Sequence, residues 1–246
     1  MYAHSVTSMT GRATLRHRLY EAYASQHSGC DTGVNALVYR RDIRSMLPAP
    51  EAGPVFDIGC GQGALVRLLL NDGYDAAGVD ISPEQVAIAH SVGLVQVQAG
   101  DYRDILGGRV GEFAAITATD VLEHLTKNEV LETFDYVASA LAPGGVFVAR
   151  VPNAGSPFGG HIRHGDFTHE SWYTDRSVRQ LSAATGFASV TVLGCPPIAH
   201  GLASAARVVM WRSVSALCKI ALAAETGVLS GHIVTQNLTF VARKAG

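Results

Sequence analysis

The chain has 246 residues, long enough for one α/β domain with a full core and too short for two of ordinary size. Lysine and arginine total 19 against 21 aspartate and glutamate, a formal net charge of -2, so the surface as a whole does not attract polyanions and a dedicated nucleic-acid binder is disfavoured. Cys30, Cys60, Cys195 and Cys218 form neither a CxxC pair nor a zinc spacing, which fits reduced thiols in a cytoplasmic protein rather than a disulfide framework.

Residues 1–20 are polar and basic and lack the apolar run that a secretion signal needs. Residues 11–47 read as one or two helices ending at Pro48-Ala49-Pro50, which predicts an N-terminal helical cap over residues 1–50. From Pro54 onward, apolar runs at 55–58, 76–79, 95–99, 113–118 and 146–151 alternate with helix-like segments, the rhythm of a parallel sheet within one domain over 51–246. Helix starts are signalled by Ser82-Pro83-Glu84 and by the Thr126/Glu129 spacing of a capping box. The helix after Thr126 is expected to reach about Leu141 and stop at Pro143-Gly144-Gly145. An active-site loop at 152–170, a helix at 175–185 and a strand at 188–193 follow, and the last strand is expected at 232–242.

The apolar stretch 202–224 has the length of a membrane span, but Arg207, Arg212 and Lys219 inside it would be costly there, so no membrane span is expected. Its apolar surface exceeds what one helix face on a sheet requires. It is expected to cover an acceptor pocket or to form a homodimer contact.

Val55 to Gly63 supplies a glycine-rich turn directly after a buried strand, where backbone can approach a ligand at the carboxyl edge of an open sheet. Asp80, at the end of the second strand, is placed to accept both hydroxyls of an adenosine ribose. Gly59-Cys60-Gly61-Gln62-Gly63-Ala64 also satisfies the loose glycine pattern of nicotinamide and flavin enzymes, which keeps an NAD-dependent oxidoreductase open as an alternative.

Asp57 before the first glycine, Gly100-Asp101-Tyr102 after the third strand and Leu141-Ala142-Pro143-Gly144-Gly145 before the fifth tip the balance. With these the sequence resembles class I S-adenosylmethionine-dependent methyltransferases. The resemblance implies a doubly wound, Rossmann-like, seven-stranded sheet, mostly parallel with the last strand antiparallel. It also implies a cofactor set of Asp57, Gly59, Gly61, Gly63, Asp80, Ile81, Asp101 and Tyr102. In that family the first acid and the glycines cradle the methionine part, the second-strand acid binds ribose, and the acid after the third strand meets the adenine amino group.

Asp120-Val121-Leu122-Glu123-His124 follows the fourth strand, where such enzymes bring side chains to the reacting methyl group. It is similar to the E-x-x-E-H sequence that binds a divalent metal in ubiquinone-pathway O-methyltransferases and in enzymes methylating the terminal 2′-hydroxyl of small RNAs. The loop from Gly160 to Glu170 crowds His161, His164 and His169 with Asp166 and Glu170. A hydroxyl nucleophile must be aligned and must lose its proton, either to a histidine base or with help from a metal. The catalytic candidates are therefore His124, His164, Asp166 and His169, and the metal candidates, for Mg2+ or Mn2+, are Asp120, Glu123, His124 and His169.

Tyr20 to His27 and the 152–170 loop resemble bacterial methyltransferases of sugars and polysaccharides, although Tyr20 and Tyr23 have equally the spacing of a packed helix face. The reading is an O-methyltransferase of a saccharide or other hydroxylated small molecule. A metal-independent N- or O-methyltransferase of another metabolite is the alternative within the class, and a non-catalytic binding module the alternative outside it.

Overall fold

A computed structural model describes residues 36–246. Tyr20, Tyr23, His27, Cys30 and most of the expected cap lie outside the described residues. Strands β1 (Val55–Ile58), β2 (Ala76–Asp80), β3 (Val97–Ala99), β4 (Phe113–Thr119), β5 (Leu141–Pro152), β6 (Phe187–Gly194) and β7 (Asn237–Lys244) form one sheet in the order β3-β2-β1-β4-β5-β7-β6. The first five strands pair in parallel, and β7 lies antiparallel between β5 and β6. The order reverses direction at β1 and β4, so a crevice opens above their carboxyl ends.

The central strands carry no polar alternation because both faces are covered. On one face Val55, Val146 and Val148 pack with Leu65, Val66 and Leu69 of helix α1 (Ala64–Asn71) and with Tyr39, Ile43 and Leu47 of the leading helical turns. Tyr39 anchors those turns by donating its hydroxyl to Asp72 at 2.8 Å. On the other face Phe56, Ile116, Phe147 and Phe240 meet Val130, Phe134 and Val137 of α4 (Lys127–Ala140). The Phe134 ring lies 5.4 Å from that of Phe147 and 5.9 Å from that of Phe240, and truncating it to alanine would cost about 3–5 kcal/mol.

The local start signals act as read. Ser82 caps α2 (Pro83–Ser91) by accepting from the Gln85 amide, and Thr126 with Glu129 makes a reciprocal capping box. Helices α3 (Tyr102–Leu106), α5 (Gly160–Gly165), α6 (Asp175–Ala184) and α7 (Leu202–Thr226) complete the described elements discussed below.

Several boundaries differ from expectation. β5 begins at Leu141, directly after α4, and carries Pro143-Gly144-Gly145 inside it as an irregularity: Leu141 already pairs with Phe113, and the register shifts before Ala115. The last strand starts at Asn237, not 232, because the preceding carbonyls of Ile233 and Thr235 accept from the Asn153 side-chain amide at 2.8 Å instead of joining a ladder. The third strand is shortened to three residues, and the 152–170 stretch holds the short helix α5. Among the described residues no helix is long and apolar enough to cross a membrane, and Cys60, Cys195 and Cys218 are free thiols.

Candidate active site

The turn after β1 is left-handed at Gly59 (φ 66°), Gly61 (φ 53°) and Gly63 (φ 74°). A Cβ on Gly59 would come within 2.4 Å of Val121, whereas one on Gly61 would meet nothing within 4 Å. Val121 therefore packs directly on the turn, while Gly61 faces the open crevice. The turn is tied to β2: the Gly61 amide donates to one oxygen of Asp80 and the Ser82 amide to the other, each at 2.8 Å. Burial raises the Asp80 carboxyl above its ordinary range, and these two amide bonds pull against it. Ile81 beside it is 54 % exposed, an apolar surface left uncovered next to the held carboxylate.

Asp57 is buried at the end of β1 and accepts a 2.6 Å hydrogen bond from the Thr117 hydroxyl on β4. Loss of solvent pushes its carboxyl up to about 7, the Thr117 bond opposes this, and the nearby Asp80 charge adds to it. A cation reaching the turn would favour the ionised form of both acids. Asp101 caps α3 and is gripped by Arg103, whose Nε donates at 2.9 Å. Burial alone would raise Asp101, but the hydrogen bonds and charge of Arg103 win, so it stays below the usual carboxylate range. Tyr102 is bonded to Thr133 at 2.6 Å, which fixes its ring under the same corner.

After β4 the chain turns at Asp120, the one described non-glycine residue with positive φ (54°). Its amide bonds the Arg150 carbonyl at 3.0 Å, and both its carboxylate oxygens accept from the Arg150 guanidinium. Asp120 is thus committed to an ion pair and lies outside the group of potential ligands that forms next to it. That group is Glu123, His124 and His169, whose donor atoms lie within 4.8 Å of one another. The His124 and His169 rings meet edge to face at 4.8 Å.

The loop after β5 is stitched onto the Glu123 segment. The Glu170 and Ser171 amides donate to the Glu123 carbonyl at 2.7 and 3.0 Å, the Tyr173 hydroxyl to the Leu122 carbonyl at 2.8 Å, and Ser171 Oγ to the Leu125 carbonyl at 2.7 Å. Thr168 Oγ1 gives its proton to Asp166 at 2.6 Å and lies 2.7 Å from His124 Nδ1. Since the hydroxyl proton is already donated, it must accept from the imidazole, which puts the proton of His124 on Nδ1 and the lone pair on Nε2. Burial first, and then the neighbouring His169, lower His124 to about 4, so its ring is neutral at pH 7.

Glu123 is buried, and its Oε2 has no hydrogen-bond partner; His169 Nδ1 is a second buried atom without one. Burial, and then the charge of Asp120, raise the Glu123 carboxyl well above its ordinary range. His164 is not part of the cluster: it is exposed and lines a separate cavity of about 150 Å3 with Asn153, Arg163 and Trp172. A larger cavity of about 470 Å3 borders Arg150 from the other side, lined also by Arg41, Arg207, His200 and Trp211. Sequence reasoning missed Thr117, Thr168, Arg150 and Val121. Only Arg150 left a signal, as a charge inside an otherwise apolar strand.

The sequence profile of a methyltransferase-domain family matches residues 29–192 of this chain. The chain is similar to the Bacillus subtilis (strain 168) protein YqeM, named as a methyltransferase, with 35 % identity over 137 residues, 53 % of this chain and 54 % of the relative. It is 33 % identical over 103 residues to the ubiquinone biosynthesis O-methyltransferase of Xylella fastidiosa (strain 9a5c), covering 39 % of this chain and 41 % of that protein. The chain thus spans about half or less of the length of these curated relatives. A SAM-dependent methyltransferase from Archaeoglobus fulgidus shares the fold with a TM-score of 0.64 at 19 % identity, over 85 % of this chain and 93 % of the other.

Proposed function

Because this chain belongs to the methyltransferase-domain family, we propose that it transfers the methyl group of S-adenosylmethionine to a hydroxyl of a saccharide or other hydroxylated small molecule. The observation that carries this reading is the trio Glu123, His124 and half-buried His169, with Glu123 Oε2 and His169 Nδ1 left without partners beside the glycine turn. Val121 joins that trio to the turn through Gly59. An amine acceptor that loses its proton readily needs no such group, whereas a hydroxyl does.

In this reading Asp80 takes the ribose diol, Asp57 and the glycine turn take the methionine end, and Asp101 with Ile81 and Tyr102 borders the adenine. The acceptor enters on the Arg150 side, where the Asp120–Arg150 ion pair joins the larger cavity to the Glu123 segment. His124 Nε2 receives the hydroxyl proton, and Asp166, acting through Thr168, offsets the charge that then forms on the ring. The sulfonium is already activated, so alignment and proton removal are the protein's share of the work.

A divalent metal fits the same atoms. The orphaned Glu123 oxygen and His169 nitrogen would hold it together with His124, and it would lower the pKa of a bound hydroxyl. With Asp120 committed to Arg150, the donor set is one carboxylate and two imidazoles, which suits Mn2+ or Fe2+ better than oxygen-seeking Mg2+. The test is incubation with methyl-labelled S-adenosylmethionine and two acceptor panels, saccharides and catechols against primary amines, with and without chelator. Label in O-methyl products supports the reading. Label only in N-methyl products contradicts it, and full rates in chelator remove the metal but keep the histidine base.

A further inference from the structure

Helix α7, inserted between β6 and β7, leaves the body of the protein almost bare. Of its 25 residues only Ser204 is buried. Val209, Met210, Leu217 and Ile220 are 64–67 % exposed and Leu202 is 94 % exposed. At about 100° per residue these five side chains fall in one stripe about 120° wide, filled out by alanines and one serine and free of any charge. Arg207 lies along one flank of the stripe, with Glu225, the one acid, on the same flank at the far end of the helix, and Arg212 and Lys219 lie along the other. Exposed Val228 and Leu229 continue the apolar surface past the C-terminus of the helix.

An apolar stripe of this size on a charged-flanked helix needs a cover. A second copy of the chain supplies a poor one. A two-fold axis that pairs the stripes antiparallel sets Arg212 and Lys219 against their own copies on one side, with Arg207 against Glu225 on the other, and a parallel pairing sets Arg212 nearest Arg207, so either arrangement brings cations together. A surface of anionic phospholipid complements the same pattern: the apolar side chains enter the boundary between headgroups and acyl chains while Arg212 and Lys219 on one flank and Arg207 on the other meet phosphates. The helix is too polar along its flanks to cross the bilayer, in keeping with the absence of a spanning helix among the described residues.

We propose that α7 seats this protein on anionic membrane surfaces as an in-plane, interfacial helix. The position of the helix has a consequence for access, since Arg207 and Trp211 of α7 also line the larger cavity, and the Trp211 ring packs on Phe158 at 5.6 Å. A protein docked through α7 opens that cavity at the lipid boundary, where an amphipathic acceptor would be found.

The test is flotation of the full-length protein with vesicles of equal parts phosphatidylglycerol and phosphatidylcholine, against vesicles of phosphatidylcholine alone. The expected result is capture by the anionic vesicles that weakens between about 0.1 and 0.5 M salt. Met210→Glu with Leu217→Glu should reduce capture at least roughly tenfold, while S-adenosylhomocysteine affinity and the circular dichroism spectrum stay as in the parent. Arg212→Glu with Lys219→Glu should remove the preference for anionic lipid. Equal binding to both vesicle types, no binding, or unchanged capture of the glutamate variant would overturn the proposal. So would a solution dimer that the Met210→Glu, Leu217→Glu variant converts to monomer, because the stripe would then belong to a second copy.

Discussion

The turn after β1 and the segment after β4 leave the same edge of the sheet and touch through Gly59 and Val121, yet they are finished in opposite ways. In the first, Asp80 has both oxygens held by backbone amides and Asp57 is held by Thr117, so its polar groups are set before any ligand arrives. In the second, a buried carboxylate oxygen and a buried imidazole nitrogen have no partner. A pre-satisfied turn is built to bind, and an unsatisfied cluster waits for a proton, a cation or a substrate atom; under the proposed function the difference separates cofactor recognition from the transfer step.

The sharpest way to break this division is to remove the unsatisfied cluster. Glu123→Ala or His124→Ala should lower methyl transfer at saturating cofactor by at least ~100-fold, as loss of a general base or of a cation site does. Next in size is Asp80→Ala, which under the proposed function deletes the charged acceptor for the ribose hydroxyls and should weaken S-adenosylhomocysteine about 30-fold, or about 2 kcal/mol, read by calorimetry. Transfer by this variant should recover when cofactor is raised. A smaller effect is expected at Thr168, which positions His124 without touching substrate: Thr168→Val should slow turnover about tenfold and shift the pH profile, with Thr168→Ser restoring both.

The smallest effects are on stability, and they carry opposite signs in the two cluster residues. Glu123 holds its proton above the usual range in the folded protein, so the stability it contributes is present below its unfolded pKa and is lost as pH rises. Glu123→Gln should therefore melt higher than the parent, by a margin that grows as pH rises above the ordinary carboxylate range. His124, lowered to about 4, contributes stability above its unfolded pKa of about 6.5 that is lost as pH falls towards 4. His124→Gln should flatten the acid limb of a melting curve measured against pH.

The two regions also differ in how far the chain order reveals them. Asp57, the three glycines and Asp80 are fixed by a strand, a tight turn and the next strand, all within a short stretch, so spacing alone brings them to one edge of the sheet. The Thr126/Glu129 and Ser82 caps were legible for the same reason. The cluster was legible only in part, because Glu123 and His124 meet His169 across the fold, through a loop held by backbone carbonyls that no residue type announces. Crowding of histidines pointed to the loop that meets the cluster but did not separate its members: His169 joins Glu123 and His124, α5 carries His164 to another cavity, and Asp166 bonds Thr168, which lies against His124. Asp120 read as a ligand from its position in the motif, and the Arg150 on the adjacent strand that claims it could be found only once β4 and β5 were paired. The strand boundaries at 141 and 237 escaped for a related reason, since a bulge and a side-chain amide replaced the expected ladder bonds.

The most direct test of the division of labour is the dissociation constant of S-adenosylhomocysteine for Glu123→Ala and His124→Ala, titrated by calorimetry beside the parent protein. Both variants should bind within about twofold of the parent although transfer is gone, because the turn and Asp80 are complete without them. An affinity that falls in proportion to the rate would contradict the account and make the cluster part of the cofactor's own site.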